Sequence, residues 1–275
     1  MSDAAGDHLG PPAGWYPDPT VFGRLIYFDG KRWTGATAMP QPVPKPPRGT
    51  LPMSVALAAV ACTALPLVVS RVTIYFLASL QWPVVAYLAL SATIAYLPGM
   101  LLWRWASRRH LGGHPIDAVG ARFRVADLGW GPLTWFSAVI AEVAVGALLV
   151  ALKVPFVSNT DSFGDLHHRR GYALAVLFLA VLVAPVVEEI IFRGLLQRGL
   201  MSVLPPWVAI GIQGLLFGAA HVSPDRGMGN IGLALVLAAV GVVFGIAVHL
   251  ARRLGPTMIA HAIVNAVAMV VVLSR

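Results

Sequence analysis

The chain of 275 residues is short of charge, and glutamate is among its scarcest charged residues. Charged side chains make up 12% of it, about half the share of an ordinary soluble domain. There are three glutamates, Glu142, Glu188 and Glu189, against nine aspartates, and three lysines against 17 arginines. With 57% hydrophobic residues and a mean hydropathy of +0.75, the composition excludes a soluble enzyme and describes an integral membrane protein. The single cysteine, Cys62, excludes a disulfide framework and a cysteine-ligated metal site. No basic stretch leads into an apolar core at the N-terminus, so no cleaved signal peptide is expected. No histidine begins an H-E-x-x-H and no G-x-S-x-G occurs. Ser162-Phe-Gly-Asp165 lacks the first glycine of the aspartyl G-x-G-D pattern. The usual signatures of zinc, serine and aspartyl proteolysis are therefore missing.

What is present is a series of apolar runs. They predict an all-α, polytopic membrane helix bundle of seven to eight spans, preceded by a small β module. Spans are expected near residues 51–70, 82–103, 132–152, 172–196, 206–221, 231–250 and 256–273. The apolar stretch Val72–Leu80 is too short to cross alone; it either lies at the interface or extends the first helix. The net charge of +8 comes mostly from arginines flanking these runs, so it does not point to nucleic acid. With the N-terminus inside, thirteen basic residues fall on the cytoplasmic side and six on the other. That asymmetry predicts a multi-pass cell-membrane protein with a cytoplasmic N-terminus.

Residues 1–38 are polar and aromatic. Leu25 to Phe28 suits a strand and Asp29-Gly30 a tight turn, over which Trp15 and Trp33 are expected to stack. Gly14-Trp-Tyr-Pro-Asp-Pro19 and Asp29-Gly-Lys-Arg-Trp-Thr34 resemble a short actinobacterial module of unknown function. The resemblance implies a small β module and no activity; a protein-binding role and a mere appendage remain open. Residues 39–50 follow as a proline-rich, extended linker, and 51–275 form the membrane domain.

The polar groups inside the apolar runs carry the chemistry. Pro185-Val-Val-Glu188-Glu189-Ile-Ile-Phe-Arg193 places two carboxylates and a guanidinium in one span. Such charges are costly in a bilayer and mark function by default. Glu189 and Arg193 are four apart on one face, in the favourable order for an ion pair. Glu188 points about 100° away and is free to face something else. Pro185 cannot donate to the Val181 carbonyl, so a kink is expected just before the carboxylates. A structural Glu–Arg pin between helices is the plainer alternative. Phe217 and His221 form a second i, i+4 pair, and His261 and Asn265 a third. Glu142 stands alone in its helix. Gly214-xxx-Gly218 and Gly241-xxx-Gly245 suit close helix packing. His167-His168 suits a solvated loop.

At Glu188-Glu189-x-x-x-Arg193, Phe217-x-x-x-His221 and His261-x-x-x-Asn265 the chain resembles the CAAX-protease and bacteriocin-processing family of intramembrane endopeptidases. All three motifs occur in family order, each in a predicted membrane helix. The resemblance implies hydrolysis of peptide bonds in membrane-associated substrates. It implies that Glu188 and His221 hold and activate the attacking water. Glu189 and Arg193 would organise the site, and His261 and Asn265 would stabilise the oxyanion. It implies a glutamate-type mechanism without a cofactor, with a catalytic zinc as the alternative. Two other function classes stay open: a secondary transporter using buried Glu, Arg and His, and a non-enzymatic membrane scaffold or immunity protein. One feature resists straight helices in this topology, since His221 falls toward the opposite membrane face from Glu188 and His261.

Overall fold

The computed structural model describes residues 11–39, 51–112, 114–158, 170–223 and 226–274. Most of the proline-rich stretch, and His167 with His168, lie outside the described residues. The chain divides into two compact units, Met1–Arg48 and Gly49–Arg275.

The first unit is an antiparallel sheet in the order β1 (Gly14–Pro17), β2 (Leu25–Phe28), β3 (Trp33–Ala38). Trp15 pairs with Tyr27, and Phe28 with Trp33. Neighbouring residues of a strand face opposite sides, so the two tryptophans part company. Trp15 packs on Tyr27, with ring centroids 5.1 Å apart. Trp33 packs on Phe28 at 4.9 Å and Tyr16 at 5.6 Å. Stacking of Trp15 with Trp33 over the turn does not occur. The turn itself is closed by the Asp29 carboxylate, which accepts from the Lys31 and Arg32 amides at 2.8 Å each. Gly30 there has φ +92°, a conformation that glycine adopts freely. In the preceding loop, Thr20 donates from its hydroxyl and its amide to Asp18, and Arg24 adds a further bond. Together they lower the Asp18 carboxyl to about 2.

The second unit is a helical bundle. It comprises α1 (Met53–Leu77), α2 (Val84–His110), the short α3 (Pro115–Val119) and α4 (Asp127–Ala151). Then follow α5 (Arg170–Leu200), α6 (Pro206–Ala219), α7 (Gly229–Ala251) and α8 (Gly255–Leu273). Six of these helices are long and apolar enough to cross a membrane; the protein is a multi-pass membrane protein. Val72–Leu80 extends the first helix, which continues into a 3₁₀ turn at Ala78–Leu80. The expected seventh span is a correction. Helix α6 has 14 residues, about 21 Å at ~1.5 Å per residue, short of a hydrocarbon core of about 30 Å.

Helix α5 lies at the centre. From Ile190 to Gln197 every side chain is buried, as expected of a helix surrounded by others. Helices α6 and α7 approach closely through small residues on both sides. A side chain at Gly214 or Gly218 would meet the backbone of Ala234 or Ala238, and one at Gly241 would meet Gly214 and Phe217. Helix α4 packs on α7 and α8 through Ala138, Val240, Phe244 and Ala260. Its first residue, the buried Asp127, accepts from Arg253 Nε at 2.8 Å, and its other carboxylate oxygen accepts from the Arg124 amide at 2.8 Å. Beyond the end of α3, Arg122 Nε donates to Asp117 at 2.5 Å and holds that exposed carboxyl below its usual range.

Candidate active site

The site is assembled around an irregular stretch of α5. Two π-helical segments, Leu179–Val183 and Ile190–Gln197, flank an α-helical Ala184–Glu189. Pro185 is the local cause of the first. The Ala184 amide reaches back five residues to the Leu179 carbonyl, and Pro185 has no amide proton to offer. The carbonyl of Ala180 is thereby stripped of a helical donor. Asn265 Nδ2 from α8 supplies the missing hydrogen bond at 2.7 Å. A π insertion, rather than a simple proline break, is how the chain accommodates Pro185, and such insertions recur at functional sites.

Glu189 and Arg193 are fully buried, and Arg193 Nη1 donates to Glu189 Oε1 at 2.8 Å. The same oxygen accepts from His261 Nδ1 at 3.1 Å. Arg193 Nη2 donates to the Gly241 carbonyl at 3.2 Å, and four residues on Gln197 Nε2 donates to the Gly245 carbonyl at 3.0 Å. At Gly245 the glycine does more than allow packing, since a Cβ there would meet the Gln197 side chain that reaches its carbonyl. The guanidinium lies 4.4 Å from the Phe217 ring centroid and 5.3 Å from that of Phe244, an arrangement that favours a desolvated cation. Buried charges of this kind persist only when paired and hydrogen-bonded.

Glu188 faces a different neighbour. Tyr96 of α2 donates its hydroxyl to Glu188 Oε1 at 3.0 Å. Oε2 is buried without a hydrogen-bond partner and lies 3.8 Å from His261 Nε2. A cavity of about 350 Å³ opens beside it, lined by Tyr96, Glu142, Glu188, His221, His261 and Asn265 among mainly apolar residues. His221 donates from Nδ1 to the Phe217 carbonyl at 2.8 Å. A carbonyl only accepts, so Nδ1 carries the proton, and Nε2 of the neutral ring is left as an acceptor.

The mismatch in depth between Glu188 and His221 is small, because α5 runs on to Leu200. Both α5 and α6 meet at the turn after Leu200. From that end Glu188 lies about 18 Å along α5, and His221, two residues beyond the end of α6, about 22 Å from Pro206, at ~1.5 Å per residue. A full-length sixth span would have carried the equivalent end to the far surface.

Zinc takes three or four protein ligands, and among the described residues no three His, Cys, Asp or Glu side chains gather as a metal site. Glu189 Oε1 is already shared by Arg193 and His261. The adjacent guanidinium also opposes a cation.

Residues 170–267 match the family model described as type II CAAX prenyl endopeptidase Rce1-like. That match, from the start of α5 to within α8, supports membership of the CAAX-protease and bacteriocin-processing family. Residues 13–47 match a second model, described as protein of unknown function (DUF2510), which spans the β-sheet and most of the proline-rich stretch. No curated protein and no solved structure matches the chain.

All three motifs of this family of membrane endopeptidases converge on one place. Glu188, His221, His261 and Asn265 line the cavity, while Glu189 and Arg193 form the floor that orients His261. Two features were absent from the sequence reading. Tyr96 is one; its signal is a tyrosine hydroxyl in the middle of a long apolar helix, away from the interfacial belt where tyrosines collect. The buried glutamines Gln197 and Gln213 are the other; their signals are the spacing of four from Arg193 to Gln197 and a single polar side chain in the otherwise apolar α6.

Proposed function

We propose that the chain is an intramembrane endopeptidase that hydrolyses membrane-associated peptides with a water activated by Glu188 and His221. The observation that carries this is the asymmetric state of the Glu188 carboxylate. One oxygen is held by Tyr96, the other has no hydrogen-bond partner, and the residue lines the cavity.

A water beside Oε2 can donate one proton toward Glu188 and the other toward His221 Nε2. Its lone pair is then free to attack a scissile carbonyl. As the C–O bond forms, Glu188 takes one proton. The negative charge collects on the former carbonyl oxygen, where the second amide proton of Asn265 and Nε2 of His261, in its imidazolium form, can donate. Collapse breaks the C–N bond, Glu188 returns its proton to the leaving amine, and an acid and an amine result. Glu189 acts at one remove by holding His261 through Nδ1. The apolar walls limit water until substrate enters. The family name of the matching model refers to prenylated CAAX proteins, but no side chain of the cavity selects a prenyl group by itself. The proposal therefore stops at membrane-associated peptide.

The test is cleavage of membrane peptides by purified protein, with and without exhaustive chelation. Wild-type protein should cleave before and after chelation, and Glu188→Gln should abolish cleavage while folding normally. Cleavage by Glu188→Gln at the wild-type rate would overturn the mechanism. Activity lost on chelation and restored by zinc would replace it with a metal-dependent one.

A further inference from the structure

Glu142 is the one glutamate that the three motifs do not use. It continues the inward face of α4, four residues beyond the buried Ala138. It lines the same cavity as Glu188 and His261, yet it takes no part in an ion pair or hydrogen bond with another described residue. Its side chain and that of Phe156 are exposed, so they mark where the cavity opens. No described lysine or arginine lines the cavity, whereas two carboxylates do. The remaining walls near Glu142 are apolar, among them Leu233, Val236, Val240 and Val264.

We propose that Glu142 is a substrate-recognition carboxylate, which pairs with a lysine or arginine side chain of the peptide bound in this cavity. The proposal rests on the reading of the cavity as the peptide site. An apolar slot alone would accept any hydrophobic segment. A lone carboxylate in its wall penalises a purely apolar neighbour and repels an acidic one, and it attracts a cation. A basic side chain on the substrate supplies the partner that the described residues do not. Glu142 is then a specificity group at the mouth, separate from the chemistry at Glu188.

The experiment uses the full-length protein in nanodiscs. The probes are apolar peptides of about 20 residues, each carrying one lysine at a scanned position, beside matched peptides with norleucine there. Binding is measured on Glu188→Gln, which leaves peptides uncut, and cleavage is measured on the wild type. Lysine at one position should raise affinity by about tenfold or more. In Glu142→Gln that ratio should fall to near one, and in Glu142→Lys the preference should pass to glutamate-bearing peptides, a reversal that misfolding cannot produce. An unchanged lysine preference in Glu142→Gln overturns the proposal, as does the lack of any lysine preference in the parent protein. A Glu142-dependent preference in binding without cleavage of any peptide would sink the peptidase reading and leave the recognition site standing. Cleavage without that preference would do the reverse.

Discussion

The hydroxyl of Tyr96 donates to Glu188 Oε1 across 3.0 Å, joining α2 to α5 at the centre of the bundle. This bond divides the carboxylate into a fixed oxygen and a bare one, and so aims Glu188 at the cavity. Tyr96→Phe should lower kcat about 10- to 100-fold, the loss of one hydrogen bond to a charged group, with KM little changed. Steady-state kinetics on a cleaved peptide decide it. An unchanged kcat would remove Tyr96 from the machinery.

Arg193 is the structural half of the site. Arg193→Ala leaves Glu189 buried with only His261 as a partner, and removing one member of a buried pair costs about 3–5 kcal/mol. The variant should melt well below the wild type in detergent, whereas Glu188→Gln should melt close to it. Arg193→Lys should recover only part of the loss, since one ammonium cannot reproduce the guanidinium fork between Glu189 and the Gly241 carbonyl. Equal melting temperatures for Arg193→Ala and wild type would count against this division of labour.

Asn265 has two duties, and they should separate by variant. Asn265→Ala strips the Ala180 carbonyl of its donor, which costs about 1–3 kcal/mol for a buried unsatisfied group, and also loses cleavage. Asn265→Asp cannot donate when ionised and should be at least as damaging on both counts. Full stability in Asn265→Ala would mean that the Ala180 carbonyl finds another donor.

Orientation is open to a direct chemical test. In a Cys62→Ser background, a cysteine placed between Arg108 and Arg124 should react with an impermeant maleimide only after the membrane is opened. Labelling of intact cells would invert the topology and put the N-terminal module outside.

Much of this architecture is present in the chain before it folds. Membrane burial, the approximate places of the helices and the Glu189–Arg193 pair follow from local rules: apolar run length, and a spacing of four on a helix that brings two side chains together. The division of roles between adjacent glutamates is legible for the same reason, because 100° of rotation must send them to different neighbours. The three motifs name most of the polar residues that meet, since few others interrupt the C-terminal apolar runs.

Tertiary structure alone decides how they meet. The 14 residues of α6 look like one more span by composition. His221 follows their end and comes level with Glu188 on α5, while α6 packs closely on α7 through Gly214 and Gly218. Tyr96 lies 92 residues before Glu188, so no local periodicity links them. Asn265 answers a carbonyl emptied by Pro185 on another helix, and Glu142 becomes part of the cavity because α4 packs on α7 and α8. In each case the deciding interaction spans helices far apart in sequence. It forms where a buried polar group must find a partner or face a cavity, a demand that a single helix cannot meet on its own.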